Sequence, residues 1–225
     1  QLLQRPVVFD FRAADLALGG QGAPLVPATD AALVPPIGGW RALVNLGGIA
    51  NLTLLPPARG PEAKAPVLGW DCGPANTLLD LAAHQFSGGK VSFDANGAWA
   101  RQGQPNEDLI QRWLKEPYLQ QAPPKSTGRE LFGRLDLAQR LAAMQTRSQE
   151  PNQQSSQQPN PANALATLTA FSAAVIGQDL AKGPPVQELL VAGGGCRNGL
   201  LMEELQRRCR GTRVRPLAEL GIGDS

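Results

Sequence analysis

Cysteine is scarce in this chain, and its spacing builds no covalent framework. The three cysteines, Cys72, Cys196 and Cys209, are odd in number, and no two of them form a Cys-x-x-Cys pair. A disulfide scaffold and a zinc site of the usual ligand spacing are therefore not predicted. This cysteine usage is typical of a protein in a reducing compartment, so a cytoplasmic location is expected.

An excess of one charge and long apolar runs are also missing. The 225 residues include 21 Lys and Arg against 19 Asp and Glu, which gives a formal net charge of +2. No basic run is long enough to follow a nucleic-acid backbone, so nucleic acid is not expected as a partner. No stretch approaches the roughly 20 apolar residues of a membrane span, and the first residues lack a signal-peptide pattern.

Alternating strand and helix patterns predict an α/β fold. Strands are predicted at residues 7–11, 40–46, 49–55, 67–70, 188–192 and 212–215. Helices are predicted at residues 77–86 behind an Asn76 N-cap, between Pro105 and Pro117, after the 123–132 loop, after Asn160-Pro161, and after Asn198. A Gly-Gly turn between the second and third strands predicts a hairpin, which makes the sheet mixed. Residues 148–161 carry no apolar side chain and are predicted to be a mobile insertion.

The segment 43–80 carries the strongest functional signal. Gly47-Gly48 lies between two apolar runs, where backbone amides can approach a phosphate because no Cβ intervenes. Asp71 follows the next apolar run and is predicted to lie at a strand end. Two interpretations remain open for it: a general base, or a turn carboxylate that binds the amide of Gly73 or Ala75. Together, the turn and the carboxylate favour nucleotide or phosphate chemistry.

A second glycine turn follows a later strand. Gly193-Gly194-Gly195 precedes Asn198, the predicted cap of a helix whose N-terminal amides would attract anions or polar ring edges. The pattern is not GxGxxG, so a dinucleotide fingerprint is not supported. Tight packing and ligand binding are equally good interpretations of this turn.

Three further polar positions have both a structural and a functional interpretation. In the segment KSTGRE, either Ser126 or Thr127 caps the following helix, which is favoured, or Lys125 or Arg129 binds a substrate anion. Asp80 is predicted to be a solvated or packing residue of its helix. The single histidine, His84, is predicted to lie on the helix surface, so no Ser-His-Asp or Cys-His set is assigned.

Six motifs resemble, in order, those of the 1,6-anhydro-N-acetylmuramic acid kinase family. They span Phe9 to Asn198 and read FDFRAADLALGGQGAPLVP, LVNLGGIANLTLLP, GWDCGPANTLLD, FDANGAWA, PPKSTGRELF and LLVAGGGCRN. The resemblance implies the actin, Hsp70 and sugar-kinase fold, with two ribonuclease-H-like domains around a nucleotide cleft. It implies ATP and Mg²⁺ as cofactors, addition of water across the 1,6-anhydro bond, and phosphorylation of O6 in peptidoglycan recycling.

The resemblance also implies roles for individual residues. Asp71 would be the base that activates water. Four hairpin residues would hold the β- and γ-phosphates: Asn45, Gly47, Gly48 and Asn51. Four residues of the second turn would lie against the adenosine: Gly193, Gly194, Gly195 and Asn198. Five residues would bind the sugar substrate: Arg12, Gly73, Pro74, Asn76 and Lys125. No side chain is assigned as a metal ligand.

The same resemblance predicts how the chain is divided. Residues 1–40 would be a remnant and linker of the N-terminal lobe, and residues 41–225 the C-terminal ribonuclease-H-like lobe. The family's first phosphate loop and a later helix with a catalytic glutamate have no counterpart, so the chain is expected to be truncated at both ends. The expected partners are an amino sugar and ATP, and a homodimer is allowed. The alternatives are an inactive nucleotide- or muropeptide-binding module, or a kinase for another sugar.

Overall fold

A five-stranded mixed sheet forms the centre of the molecule. The computed structural model describes residues 5–20, 22–145 and 159–222, and its sheet has the strand order β3-β2-β1-β4-β5. The strands are β1 (Trp40–Leu46), β2 (Ile49–Leu55), β3 (Leu68–Pro74), β4 (Val186–Ala192) and β5 (Arg213–Pro216). The first three pair antiparallel, whereas β4 runs parallel to β1 and to β5. The predicted α/β class and mixed sheet are confirmed.

Eight α-helices and several short 3₁₀ turns surround the sheet in the described parts of the chain. The helices are α1 (Phe11–Ala17), α2 (Pro27–Leu33), α3 (Asn76–Phe86), α4 (Glu107–Trp113), α5 (Pro117–Gln120), α6 (Arg134–Ala143), α7 (Pro161–Ala181) and α8 (Gly199–Arg208). The 3₁₀ turns are Pro61–Lys64, Ala95–Gly97, Ala100–Gln102, Gly194–Arg197 and Leu217–Leu220.

Helix α7 is the core helix. It packs against α3, α8 and β3, and Leu165, Leu168 and Phe171 on it are fully buried. Among the described residues it is also the one helix long and apolar enough to cross a membrane, although the sequence predicted no such stretch. Because 83% of that apolar window is buried inside the molecule, packing in the core accounts for its composition.

Local sequence signals placed most elements correctly. The Gly47-Gly48 hairpin has the predicted strands, with Leu46 opposite Ala50. Asn198 caps α8 as predicted, since its Oδ1 accepts a hydrogen bond from the Leu201 N–H at 3.2 Å. Asn160 caps α7 in the same way through the Asn163 N–H.

The strand predicted at residues 7–11 is wrong. These residues are exposed and pair with no strand among the described residues, and Phe11 already belongs to α1. Asp10 has a φ of 59°, and its side chain accepts a hydrogen bond from the Ala13 N–H, which starts the helix. An apolar run without a neighbouring strand gains no ladder of hydrogen bonds, so the pattern alone was insufficient.

Two further predictions concern the division of the chain. All five strands lie between Trp40 and Pro216, but the division into residues 1–40 and 41–225 stays a prediction. The predicted insertion at 148–161 falls largely outside the described residues, which resume at Pro159.

Candidate active site

The β1–β2 turn is clamped onto the start of α3. The Gly48 carbonyl accepts hydrogen bonds from the N–H groups of Ala75 and Thr77, and the Gly47 carbonyl accepts one from the Asn76 N–H. The Asn76 side chain donates to the Leu46 and Gly47 carbonyls at 2.8 and 2.9 Å. Asn76 is therefore the first residue of α3 and a clamp on the turn. The prediction that it caps the helix is wrong, because Ala75 occupies that position.

The three-glycine turn packs against the same hairpin. Gly193 has a φ of 82°, and a Cβ there would lie 2.2 Å from Asn45 Oδ1. A Cβ on Gly195 would lie 2.5 Å from Leu46 Cβ, whereas a Cβ on Gly194 would meet nothing within 4 Å. Tight packing thus explains Gly193 and Gly195, and Gly194 faces open space where a ligand can lie on the backbone.

A cavity of about 310 Å³ lies between the second glycine turn and α3. Its lining includes Gly194, Gly195 and Asn198, three of the residues predicted to contact adenosine, together with Asn76, Asp80 and Phe93. Ligand cavities generally start at roughly 300 Å³, so this one has room for a nucleoside-sized group. Asn76, predicted to bind the sugar, also lines this cavity, and its contact with the sugar stays a prediction.

Asp80 is a cavity residue that sequence reasoning missed. It was predicted to be a solvated or packing residue, but partial burial in the cavity wall raises its pKa to about 6, and the nearby Arg129 guanidinium lowers it in part. Its position gave a usable signal, because it lies four residues after Asn76 and so shares a face of α3 with it.

The raised pKa of Asp80 predicts a pH-dependent stability. Since that pKa lies above the ordinary 3.8, the folded protein binds more protons than the unfolded chain between the two values. The stability contributed by Asp80 therefore falls as the pH rises from about 4 to about 6, and it stays low above that. We expect Asp80→Asn to raise Tm at pH 7 and to have little effect at pH 4. Thermal unfolding of both proteins from pH 4 to 8 checks this, and equal curves at every pH would contradict it.

Asp71 is held inside β3, at 4% exposure, by the segment that follows residue 124. Its Oδ2 accepts hydrogen bonds from Ser126 Oγ at 2.9 Å and from the Thr127 N–H at 3.0 Å. Its backbone N–H donates to the Lys125 carbonyl, and its carbonyl accepts the Tyr118 hydroxyl. Oδ1 accepts no hydrogen bond from any described residue. One carboxylate oxygen is thus anchored and the other is left for chemistry.

Three predictions about this region are corrected. The strand continues to Pro74, so Asp71 is not at its end. The anchors of the carboxylate are Ser126 and Thr127, not the amides of Gly73 or Ala75. Ser126 and Thr127 also do not cap a helix, because α6 begins only at Arg134, after its N-cap Gly133. Asp71, 55 residues before Ser126 in the chain, accepts the hydrogen bonds of these donors. A local capping pattern cannot reveal so distant a partner.

Asn45, Asn51 and Asp71 form a polar row across three strands. Asn45 lies opposite Asn51 in the β1–β2 pair, and Asn51 lies opposite Asp71 in the β2–β3 pair. Directly opposite residues of antiparallel strands point to the same face of a sheet. The row therefore brings two predicted phosphate residues beside the predicted base.

Gly73, also predicted to bind the sugar, packs closely against the core. It has a φ of 154°, and a Cβ there would lie 3.0 Å from a Val175 methyl.

The Lys125 ammonium lies in a buried network instead of an open site. It is 3.0 Å from Asp179 Oδ2, and both side chains are almost fully buried. Asp179 also accepts the Trp70 indole N–H at 3.0 Å and lies 2.8 Å from the Lys182 ammonium. This arrangement favours a structural role for the Lys125 side chain over contact with a substrate anion. Burial and the neighbouring Asp179 raise the pKa of the Cys72 thiol, which argues against a thiolate nucleophile.

Arg12 is not drawn into this cluster. It is exposed on α1, and its Nε donates to the Gly22 carbonyl at 3.0 Å. Its predicted contact with the sugar or its carboxylate stays a prediction.

The mixed five-stranded sheet flanked by helices has the α/β architecture of the sugar-kinase and actin-like ATPase superfold, the superfold of the family that the chain matches. The chain belongs to the anhydro-N-acetylmuramic acid kinase family, because the family model matches residues 3–225. It is 57% identical to the anhydro-N-acetylmuramic acid kinase of Parasynechococcus marenigrum (strain WH8102), over 99% of this chain and 57% of that protein. Identity is 59% to the Synechococcus sp. (strain WH7803) protein of the same name, over 97% of this chain and 54% of that protein. The chain spans about half the length of the curated relatives it matches.

Proposed function

We propose that this chain contributes to an ATP-dependent kinase that opens the 1,6-anhydro ring of anhydro-N-acetylmuramic acid and phosphorylates O6. The product would be N-acetylmuramic acid 6-phosphate, formed during peptidoglycan recycling. One observation carries the proposal: a buried carboxylate, Asp71, is anchored through a single oxygen beside a glycine hairpin suited to phosphate. The names of the relatives supply the substrate class.

Asp71 would act as the general base. Its free oxygen takes a proton from water, and the water oxygen forms a bond to the anomeric carbon as the bond from that carbon to O6 breaks. O6 then attacks the γ-phosphorus of ATP, the bond to the β-phosphate oxygen breaks, and ADP leaves. The protonated carboxyl returns its proton to solvent. Anchoring by Ser126 and Thr127 fixes the geometry of the base before the substrate arrives.

The nucleotide would extend from the cavity to the hairpin. Its adenosine would occupy the space in front of Gly194 and Asn198, and its phosphates would lie on the amides of Gly47 and Gly48, near Asn45 and Asn51. The described residues contain no group of three or more His, Cys, Asp or Glu able to hold a metal. Magnesium is usually held by one or two carboxylates and by phosphate oxygens, so it would be bound mainly through ATP. Bound there, it neutralises charge on the transferring group.

Gly194 offers a direct test of the nucleotide cavity. A Cβ at Gly194 meets no protein atom within 4 Å, so Gly194→Val should leave Tm unchanged while it projects into the cavity. We expect its affinity for ATP to fall at least about tenfold, which is about 1.4 kcal/mol. Gly38→Val is the matched control, because a Cβ at Gly38 also lies in open space. Calorimetric titration of both variants with ATP measures the effect, and equal affinities would remove the cavity from the proposed site.

The reaction itself is tested by ADP release with ATP, Mg²⁺ and anhydro-N-acetylmuramic acid. Release that depends on this sugar supports the kinase. Release with a different sugar of a substrate panel would favour a kinase for that sugar. Nucleotide binding by folded protein without any release would favour a binding module.

The division of the chain, the contacts with the sugar, the location and the assembly are also part of the proposal. Residues 1–40 would belong to the N-terminal lobe and residues 41–225 to the C-terminal lobe. Arg12, Gly73, Pro74 and Asn76 would lie near the sugar, and Lys125 would act on the site through the Asp71 N–H that its carbonyl accepts. The protein would work in the cytoplasm. The protein would be able to form a homodimer, and light scattering would detect that assembly.

A further inference from the structure

A buried hydroxyl beside the hairpin turn has no hydrogen-bond partner. Thr77 is 6% exposed, and its Oγ1 finds no donor or acceptor among the described residues. Buried hydroxyl groups are nearly always hydrogen-bonded, because an unmade bond costs free energy. An unpaired hydroxyl at this position therefore points to a missing partner.

Gly48 and the Arg129 guanidinium lie next to this unpaired Thr77 hydroxyl. A Cβ on Gly48 would be 2.6 Å from Thr77 Oγ1, and 3.5 and 3.7 Å from two guanidinium nitrogens of Arg129. Glycine at this turn thus leaves a gap that a hydroxyl and a guanidinium both border. Arg129 is exposed and makes no hydrogen bond or ion pair with any described residue, so its donors are available, although its charge also acts on the nearby Asp80 carboxyl and lowers its pKa in part.

The groups that border the gap favour an oxyanion as the ligand. A guanidinium presents several N–H donors in a planar fork that matches phosphate and carboxylate oxygens. The carbonyls of Gly47 and Gly48 already accept the N–H groups at the start of α3, so the helix end does not supply the attraction. Asp71 is tied to the same segment, because its anchors Ser126 and Thr127 precede Arg129 by three and two residues.

We propose that Thr77, Gly48 and Arg129 form an oxyanion-binding site that holds a charged group of a substrate beside Asp71. The inference rests on the proposed function for the identity of the substrates. Two of their groups have the required chemistry: a phosphate of the nucleotide and the lactyl carboxylate of the sugar. Thr77 Oγ1 donates one hydrogen bond to the anion, and Arg129 supplies the positive charge and further donors.

Inorganic tripolyphosphate is the probe for the site, and the variants are Arg129→Gln and Thr77→Val. We expect Arg129→Gln to weaken tripolyphosphate binding about 10- to 100-fold, and Thr77→Val to weaken it about fivefold. Arg112→Gln is the matched control, because Arg112 is an exposed arginine on α4 without a recorded ion pair. Thr77→Val should also raise Tm, since it removes a buried, unpaired hydroxyl; a purely structural role for Thr77 would not change anion affinity.

Steady-state kinetics assign the source of the anion. A rise in KM for ATP in Arg129→Gln identifies the anion as a phosphate of the nucleotide. A rise in KM for the sugar identifies it as the sugar carboxylate. In the second case the affinity for tripolyphosphate still falls, because the probe occupies the same gap. The proposal is overturned if Arg129→Gln and Arg112→Gln bind tripolyphosphate equally and have equal KM values. Its failure differs from failure of the proposed function: a wild-type protein that binds tripolyphosphate through Arg129 but releases no ADP would retain the anion site and lose the kinase.

Discussion

Asp71→Asn is expected to lower sugar-dependent ADP release by about 10²- to 10⁴-fold, the usual contribution of a general base. The amide cannot take a proton from water, but its oxygen can still accept hydrogen bonds from Ser126 Oγ and the Thr127 N–H. The fold and the affinity for ATP should therefore stay unchanged. A coupled assay for ADP, with and without anhydro-N-acetylmuramic acid, measures the loss.

The matched control is Asp108→Asn, which removes the same charge from an exposed position on α4. It should keep the wild-type rate. Full activity in Asp71→Asn would rule out the proposed base. Equal loss of ATP affinity and rate would instead assign Asp71 to binding.

The second large effect is on stability. Asp179→Ala leaves the Lys125 ammonium buried without its counter-ion and also removes the acceptor of the Trp70 indole N–H. Breaking one partner of a buried ion pair generally costs about 3–5 kcal/mol, so we expect a loss of that size in the free energy of unfolding. Urea denaturation followed by far-UV circular dichroism measures it.

Two comparisons isolate the cause of this loss. Glu203→Ala removes an exposed ion pair with Arg101 and should leave the denaturation midpoint unchanged. The double variant Lys125→Met with Asp179→Ala removes both buried charges and should recover part of the loss. If the double variant loses as much stability as Lys125→Met and Asp179→Ala lose in total when each is measured alone, packing and not the unpaired charge dominates.

The sequence predicted what short-range patterns determine. The Gly47-Gly48 hairpin, the Asn198 cap and the helix after Asn160-Pro161 each depend on neighbours in the chain, and each was found as predicted. The strand at residues 7–11 failed because a strand also needs a partner, which an apolar run does not supply.

The details of the candidate site depend on contacts between distant residues. Ser126 and Thr127 have the pattern of a helix cap, but they bind Asp71 across more than 50 residues of chain. The sequence suggested that Lys125 could bind a substrate anion, but the loop residue Lys125 is paired with Asp179 on α7. Asp80 was missed because the raised pKa of its carboxyl comes from burial in a cavity formed by α3 and the second glycine turn. Only the fold brings these groups together.

The residue beside the predicted base connects the site to the core helix. The Lys125 carbonyl accepts the Asp71 N–H, while its side chain reaches Asp179 on α7. Lys125 thus ties the backbone of Asp71 to α7. On heating, the proposed sugar-dependent ADP release should persist up to the melting temperature, so its loss and unfolding should occur together.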